Sequence, residues 1–114
     1  MEKKGHIPAL ECAAVQKMNK VLAALPMGGL EFKVTTYKDG EWIAESVNLD
    51  GILTGGKADD DKDRMIRDAI FTYFEIPKEY CDSRLIDAVG EIESAERGSQ
   101  KTTYIIGHSV PREG

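Results

Sequence analysis

The dipeptide Asp39-Gly40 lies between two runs in which apolar and polar residues alternate, and this hairpin pattern constrains the fold more than any other feature. Asp-Gly is typical of a two-residue type I′ turn, whose central residues both need positive φ. A loop of that length pairs Tyr37 with Trp42 on one face of the hairpin. The opposite face is the predicted core face, and it carries Phe32, Val34, Ile43 and Val47.

The segment after the hairpin completes a β-β-β-α unit over residues 30–75. A turn leads to a short third strand over residues 52–54, which a pair of glycines is predicted to end. Apolar residues then recur at three- and four-residue spacing up to Phe74, which is typical of a helix, and Pro77 stops it. The predicted fold class is therefore α+β, with an antiparallel sheet of three to four or more strands and a packed helix.

Residues 8–25 are predicted to form an added N-terminal helix. Pro8 suits the first position of a helix, and the apolar residues that follow it recur at helical spacing. We expect this helix to pack on the sheet. Exchange of the helix between two subunits is the alternative interpretation.

Residues 83–110 form a C-terminal extension. The pattern of residues 83–96 fits both a helix and a strand, so this choice stays open. Residues 98–101 are predicted to be a polar connection, and a strand follows over residues 102–110. All of residues 1–114 are assigned to one domain, since the length allows a single core.

The chain is acidic, with a formal net charge of −5. This balance disfavours direct binding to nucleic acid and suits a basic partner. The densest acidic run, residues 59–63, could in principle bind magnesium or calcium, but its carboxylates lack the spacing of a calcium-binding loop. We therefore interpret this run as the start of a helix, where negative charges offset the positive end of the helix dipole. We expect no metal and no cofactor. The run consists of Asp59, Asp60, Asp61 and Asp63.

No arrangement of residues in the sequence predicts catalysis. His6 and His108 are the two histidines, and neither has a ligand or a base partner at a suitable spacing. Cys12 and Cys81 lie far apart, which indicates neither a disulfide framework nor a zinc motif. The pair of glycines lacks the remaining residues of a phosphate-binding loop. We therefore predict a protein that is not an enzyme.

The sequence also indicates a cytoplasmic protein. Its first residues lack the apolar stretch and the cleavage site of a signal peptide. No apolar run approaches the roughly 18–20 residues that cross a bilayer. We expect neither secretion nor insertion in a membrane.

Residues 40–56 resemble the hairpin and loop of the HicB-like antitoxin family, and residues 67–75 are similar to the end of the helix that follows in that family. The resemblance covers residues 32–75 and implies a β-β-β-α core, a partial ribonuclease-H-like fold without a working nuclease site. The positions that match the family pattern are Leu49, Gly51, Thr54, Gly56, Ala69 and Ile70.

The sequence departs from the family pattern at several places. The family's loop proline is absent around Asn48, and Ser46 stands where the family has cysteine. The usual start of the helix is replaced by residues 58–63. Residues 98–114 offer no pair of helices of the kind that binds operator DNA in many such antitoxins, so the expectation is a divergent member without a DNA-binding module.

The resemblance implies that the protein occludes the surface of a small basic RNA-cleaving toxin. The acidic run would supply charge complementarity. Tyr37 and Trp42 are the candidate contact residues, because aromatic residues are enriched at the energetic centres of interfaces; a cross-strand pair that only stabilises the sheet is the alternative. The predicted partner-binding residues are thus Tyr37, Trp42, Asp59, Asp60, Asp61 and Asp63.

Two further interpretations stay open. The first is a solitary oligomeric protein, with a dimer as the expected form because dimerisation covers the edges of a small sheet. The second is a small-ligand-binding protein or an enzyme of unknown substrate, built on the same core, since a fold does not determine a function. A pocket lined by His108 and converging carboxylates would favour the second.

Overall fold

A five-stranded antiparallel sheet forms the centre of the fold, and the computed structural model describes residues 11–90 and 98–107. The strands are β1 (Gly29–Thr36), β2 (Trp42–Ser46), β3 (Leu53–Gly56), β4 (Ile86–Gly90) and β5 (Gly98–Ile106), and the helices are α1 (Ala13–Ala24) and α2 (Lys62–Tyr73). The spatial order of the strands is β3-β2-β1-β5-β4. The α+β class is confirmed, and the predicted β-β-β-α order corresponds to β1, β2, β3 and α2.

Both helices pack into one core on a single face of the sheet. Burial alternates along β1, where Phe32 is buried and Lys33 is exposed, as the period of a strand requires. Val15 of α1 and Ile66 of α2 are fully buried in the same cluster. The opposite face carries side chains that the described residues leave exposed: Lys33, Ile43, Glu45, Leu53, Val89 and Lys101.

Helix α1 packs on the sheet of its own chain. Val15, Met18 and Leu22 are fully buried, at the three- and four-residue spacing of one helical face. The packing expected from the sequence is therefore present within the chain. The helix ends before Pro26, which begins a short 3₁₀ turn, and the first predicted helical residues, 8–10, lie outside the described residues.

The β1–β2 hairpin closes through a three-residue loop instead of the predicted two-residue turn. The N–H of Tyr37 donates to the carbonyl of Glu41 at 2.7 Å, and Gly40 adopts a φ of 93°. Asp39 lacks the positive φ that a type I′ turn needs at its first central residue. The loop therefore has the longer form that places a single glycine in the left-handed region.

The longer loop shifts the register by one residue and reverses the faces of β2. Thr36, not Tyr37, pairs with Trp42, and Trp42 is 1% exposed. Ile43 and Val47, which were predicted to be core residues, are 40% and 50% exposed. The predicted pairing and this half of the core face were wrong, because a slip of one residue exchanges the two faces of a strand. The observed register buries the larger indole.

Helix α2 ends with a glutamate in a backbone conformation that favours glycine. Glu75 has a φ of 56°, which is the single positive value among the non-glycine residues that the structure describes. Its N–H donates to the carbonyl of Thr72, and the N–H of Ile76 donates to the carbonyl of Phe71, both at 3.0 Å. These two bonds define a Schellman motif, in which glycine is the usual residue at the left-handed position. Pro77 follows and cannot continue the helix.

Residues 83–90 decide the choice that the sequence left open. After a 3₁₀ turn at Ser83–Leu85, the chain forms β4, which pairs antiparallel with β5. The strand interpretation is therefore correct up to residue 90. Residues 91–97, the rest of the ambiguous segment, lie outside the described residues.

Strand β5 begins earlier than predicted. Residues 98–101 were expected to form a polar connection, but they pair with β1 along its length, from Gly98 opposite Thr36 to Lys101 opposite Lys33. Ser99 and Lys101 of this run lie on the exposed face of the sheet, where polar and charged side chains are tolerated, whereas Gln100 lies opposite Val34 on the core face. The end of the predicted strand, residues 108–110, lies outside the described residues.

Replacing Glu75 by glycine is expected to stabilise the protein by about 0.5–1 kcal/mol, because glycine adopts the left-handed conformation without steric cost. The measurement is the free energy of unfolding in urea. Glu79→Gly, at an exposed position without positive φ, is the control and is not expected to stabilise. Equal or lower stability of Glu75→Gly would contradict strain at this position.

Candidate functional site

The hairpin loop and the β3–α2 loop meet at one end of the molecule. A Cβ atom added to Gly40 would lie 2.5 Å from the Cβ of Ala58, so the two loops are in contact at this point. The contact brings carboxylates from two separate loops to the same end of the sheet. We call this surface the acidic end, and it comprises Asp39, Glu41, Asp59, Asp60 and Asp61.

Three of these carboxylates are fixed by backbone N–H groups. Asp39 accepts from Glu41 at 3.0 Å, and Asp60 accepts from Lys57 at 2.7 Å. Asp61 is the N-cap of α2 and accepts from Arg64 at 3.1 Å. The acidic run therefore does begin the helix, as the sequence indicated. These carboxylates are exposed, so their remaining oxygen lone pairs face solvent.

Asp63 is directed away from the acidic end. Its carboxylate receives Nε of Arg67 at 2.9 and 3.0 Å, and Oδ1 accepts from the hydroxyl of Tyr104 at 2.9 Å. Nη1 of Arg67 donates to the carbonyls of Ser83 and Ile86. Asp63 thus joins α2 to β5 and to the start of β4. Its hydrogen bonds give it a structural role, in addition to the partner-binding role expected from the sequence.

The environment of Tyr104 favours its neutral phenol. Burial raises the pKa of Tyr104 well above its ordinary value of 10.0, and the negative charge of Asp63 raises it further. The guanidinium of Arg67 lies 5.5 Å from the centre of the ring and partly opposes these effects. Tyr104 is fully buried and donates its proton to a carboxylate, so it acts as a hydrogen-bond donor inside the core.

The two aromatic contact candidates lie in different environments. Tyr37 is 48% exposed beside the hairpin loop, next to Asp39 and Glu41. Trp42 lies in the core, and its Nε1 donates to the carbonyl of Lys57 at 3.0 Å. Tyr37 is therefore available to a partner at the acidic end. Trp42 instead ties β2 to the β3–α2 loop.

The pair of glycines in β3 gives room to Trp42. A Cβ at Gly55 would lie 2.6 Å from the backbone oxygen of Trp42, and a Cβ at Gly56 would lie 3.2 Å from Cζ2 of its indole. Both residues belong to β3, so they do not end it as predicted. The pair reflects close approach of two strands around a large side chain.

A groove lies between the edge strand β3 and helix α2, with a volume of about 350 Å³. Residues 51–54 line one side, and Met65, Asp68, Ala69, Thr72 and Tyr73 line the other. Sequence reasoning did not find this groove, since β3 had no assigned place in the sheet. The available signal was the short length of the strand itself, because very short strands are common at the edges of sheets.

The described residues offer little that resembles a metal or catalytic centre. They contain no group of three or more His, Cys, Asp or Glu side chains placed to hold a metal ion. His6 and His108 lie outside them, and so does any pocket that His108 lines. Cys81 is exposed, and partial burial, Asp68 and Glu79 raise the pKa of its thiol, which reduces the reactive thiolate.

No family model, curated protein or solved structure matches this chain. The helices within residues 11–90 and 98–107 are too short or too polar to cross a membrane.

The substitution Tyr104→Phe is expected to lower the free energy of unfolding by about 1–2 kcal/mol near neutral pH, because it removes a buried hydrogen bond to a charged group. The raised pKa keeps the phenol protonated in the folded state, so its contribution is complete below pH 10 and is lost as the pH rises above 10. Urea unfolding between pH 7 and pH 11 measures both effects. Tyr37→Phe, at an exposed phenol, is the control.

A smaller loss of stability above pH 10 in Tyr104→Phe than in the unchanged protein is the expected pattern. Parallel pH curves would show that Tyr104 keeps its ordinary pKa.

The substitution Gly55→Ala is expected to lower the free energy of unfolding by about 1–3 kcal/mol, because the new methyl group meets the backbone of β2 and one strand must move. Thermal and urea unfolding measure the change. Lys57→Ala, two positions along the chain at an exposed side chain, is expected to change stability by less than about 0.5 kcal/mol. Equal stability of the two variants would argue against the close approach of β3 to Trp42.

Proposed function

We propose that the protein is a non-catalytic protein-binding module that binds and occludes a small basic RNA-cleaving protein, as the resemblance to HicB-like antitoxins implies. The observation that carries this proposal is the contact between Gly40 and Ala58, which unites the carboxylates of two loops in one exposed surface. A basic partner is the class of protein that such a surface suits.

The acidic end carries a net negative formal charge, which supports binding of a basic partner. Its five carboxylates are accompanied by Lys38, Lys57, Lys62 and Arg64, so the local formal charge is 4 − 5 = −1. Three of the carboxylates are held by backbone hydrogen bonds, whereas lysine carries its charge on a long, flexible side chain. A partner therefore meets negative groups that lose little conformational entropy on binding.

Tyr37 adds an apolar contact to this surface. Its ring is half exposed and lies beside Asp39 and Glu41. Tyrosine combines a large apolar area with a hydroxyl that can hydrogen-bond, and it is common among residues that dominate binding energy. We assign Tyr37 the contact role that the sequence gave to two aromatic residues, because Trp42 is buried.

A homodimer is the second candidate. The observation that favours it is the exposed sheet face, on which Ile43 and Val89 present large apolar side chains and which the described residues leave uncovered. Lys33 and Glu45 lie opposite each other on the same face and permit complementary contacts between two copies. Such a dimer is compatible with partner binding at the acidic end.

The test of the first function is affinity capture with the tagged protein from its native host at low salt, followed by mass spectrometry and an RNA-cleavage assay of what is recovered. We expect a small basic protein that cleaves RNA and that stops cleaving when this chain is added. Its binding should weaken at high salt, because exposed charges are screened. Recovery of the chain alone would favour the solitary homodimer.

The triple variant Asp39→Asn, Glu41→Gln and Asp59→Asn is expected to bind the recovered partner about tenfold or more weakly at low salt. Asparagine keeps the turn acceptor at position 39, so the loop should remain folded. The matched control has the same change in charge at exposed glutamates elsewhere: Glu45→Gln, Glu75→Gln and Glu79→Gln. Equal weakening by the two triple variants would show that the partner does not bind at the acidic end.

A further inference from the structure

Strand β3 is an edge strand that lacks the usual protection of an edge. It is hydrogen-bonded to β2 alone among the described strands. Natural edges are commonly protected by charged side chains, proline or a bulge. The sequence of β3, Leu-Thr-Gly-Gly, contains neither a charge nor a proline. Its short length is the one protective feature, and Leu53 at its start is 68% exposed.

The hydrogen-bond alternation of the sheet shows which backbone groups face outward. The N–H of Ser46 donates to the carbonyl of Ile52, so the pairs Ser46–Ile52 and Ala44–Thr54 are hydrogen-bonded pairs. The residues between them, Leu53 and Gly55, point their N–H and carbonyl groups away from β2. These two residues therefore present donors and acceptors to a further strand.

Helix α2 extends beneath the position that a further strand would occupy. The groove beside β3 is lined on the helix side by Met65, Ala69 and Tyr73, which offer apolar contacts. Adjacent strands lie about 4.8 Å apart, so alternate side chains of an added strand would enter this groove. The groove has the parts that strand addition uses, a free backbone edge and pockets for alternate side chains.

The charge of the groove selects among possible occupants. Asp68 is the one charged residue among its lining residues, and Asp50 precedes the strand. A second copy of this chain is disfavoured, because its β3, Leu-Thr-Gly-Gly, contains no lysine or arginine that could pair with Asp68. An extended segment with lysine or arginine has the complementary charge.

We propose that the edge of β3 binds an extended basic segment of a partner protein, which adds a sixth strand to the sheet and places its inward apolar side chains in the groove above α2. This inference describes how the basic partner would bind. It rests on the proposed function only for the identity of that partner. The backbone of Leu53 and Gly55 supplies the hydrogen bonds, and Asp68 accepts a basic side chain.

The first test uses synthetic peptides and the full chain. The probe is a short capped valine-lysine peptide, long enough to span residues 53–56, in which the side chains that face the groove are valines and one lysine, and titration with amide NMR detects binding. We expect shifts and slower hydrogen exchange at the amides of Leu53 and Gly55. A peptide N-methylated at alternate amides and a valine-glutamate peptide are expected to bind about tenfold or more weakly, since the former loses backbone bonds and the latter is repelled.

The matched variants are Leu53→Pro and Leu53→Ala. Proline removes the outward N–H and is tolerated at an edge, so Leu53→Pro should fold and bind the valine-lysine peptide about tenfold more weakly. Alanine keeps the N–H and should bind within about threefold of the unchanged chain. Equal binding of the N-methylated peptide, or of Leu53→Pro, would overturn strand addition. If Leu53→Pro does not fold, the comparison of the valine-lysine peptide with its N-methylated form still tests strand addition.

Other outcomes separate this inference from the proposed function. A captured basic partner that binds Leu53→Pro normally but not the acidic-end triple variant would overturn strand addition and leave the proposed function intact. Peptide binding as expected, with no basic protein captured, would support strand addition and reject the proposed function. A dimer that Leu53→Pro dissociates would assign the edge to a second copy and overturn the inference.

Discussion

The ion pair between Arg67 and Asp63 determines where α2 lies on the sheet. The carboxylate of Asp63 also accepts a hydrogen bond from the hydroxyl of Tyr104 in β5. The guanidinium of Arg67 donates to the carbonyls of Ser83 and Ile86, immediately before and at the start of β4. Partly buried charges are costly unless they are paired and hydrogen-bonded, and here each partner is satisfied by several groups. One helix is thereby fastened to two segments that are distant in sequence, β5 and residues 83–86, and its other face lies beside β3.

Trp42 performs the corresponding role at the other side of the sheet. Its indole lies beside Gly56, and Nε1 of the indole donates to the carbonyl of Lys57. The loop that follows β3 is therefore held against the hairpin, where Gly40 meets Ala58. The acidic end and the free edge of β3 both depend on this arrangement, because each is built from segments that Trp42 keeps in place.

Local sequence patterns predicted the helices and strands of this fold better than they predicted the strand register and the long-range contacts between these elements. The α+β class, both helices and the order β1, β2, β3, α2 follow from periodicity and from Pro and Gly positions. The register did not, because Asp-Gly fits two loop lengths and only the burial of Trp42 decides between them. The bond from Tyr104 to Asp63 joins residues 41 positions apart, and no local pattern indicates it. For the same reason, the sequence did not indicate that the carboxylate of Asp63 binds Tyr104 and Arg67.

The position of β5 in the sheet has a consequence for how the chain folds. Strands β1 and β5 are neighbours at the middle of the sheet, yet Gly29 pairs with Ile105 and Thr36 pairs with Gly98. The central ladder therefore closes a loop of most of the chain, which makes folding slower than in a protein of local contacts. During synthesis the hairpin, β3 and α2 emerge first and must wait for β5, so the edge of β1 stays open until then.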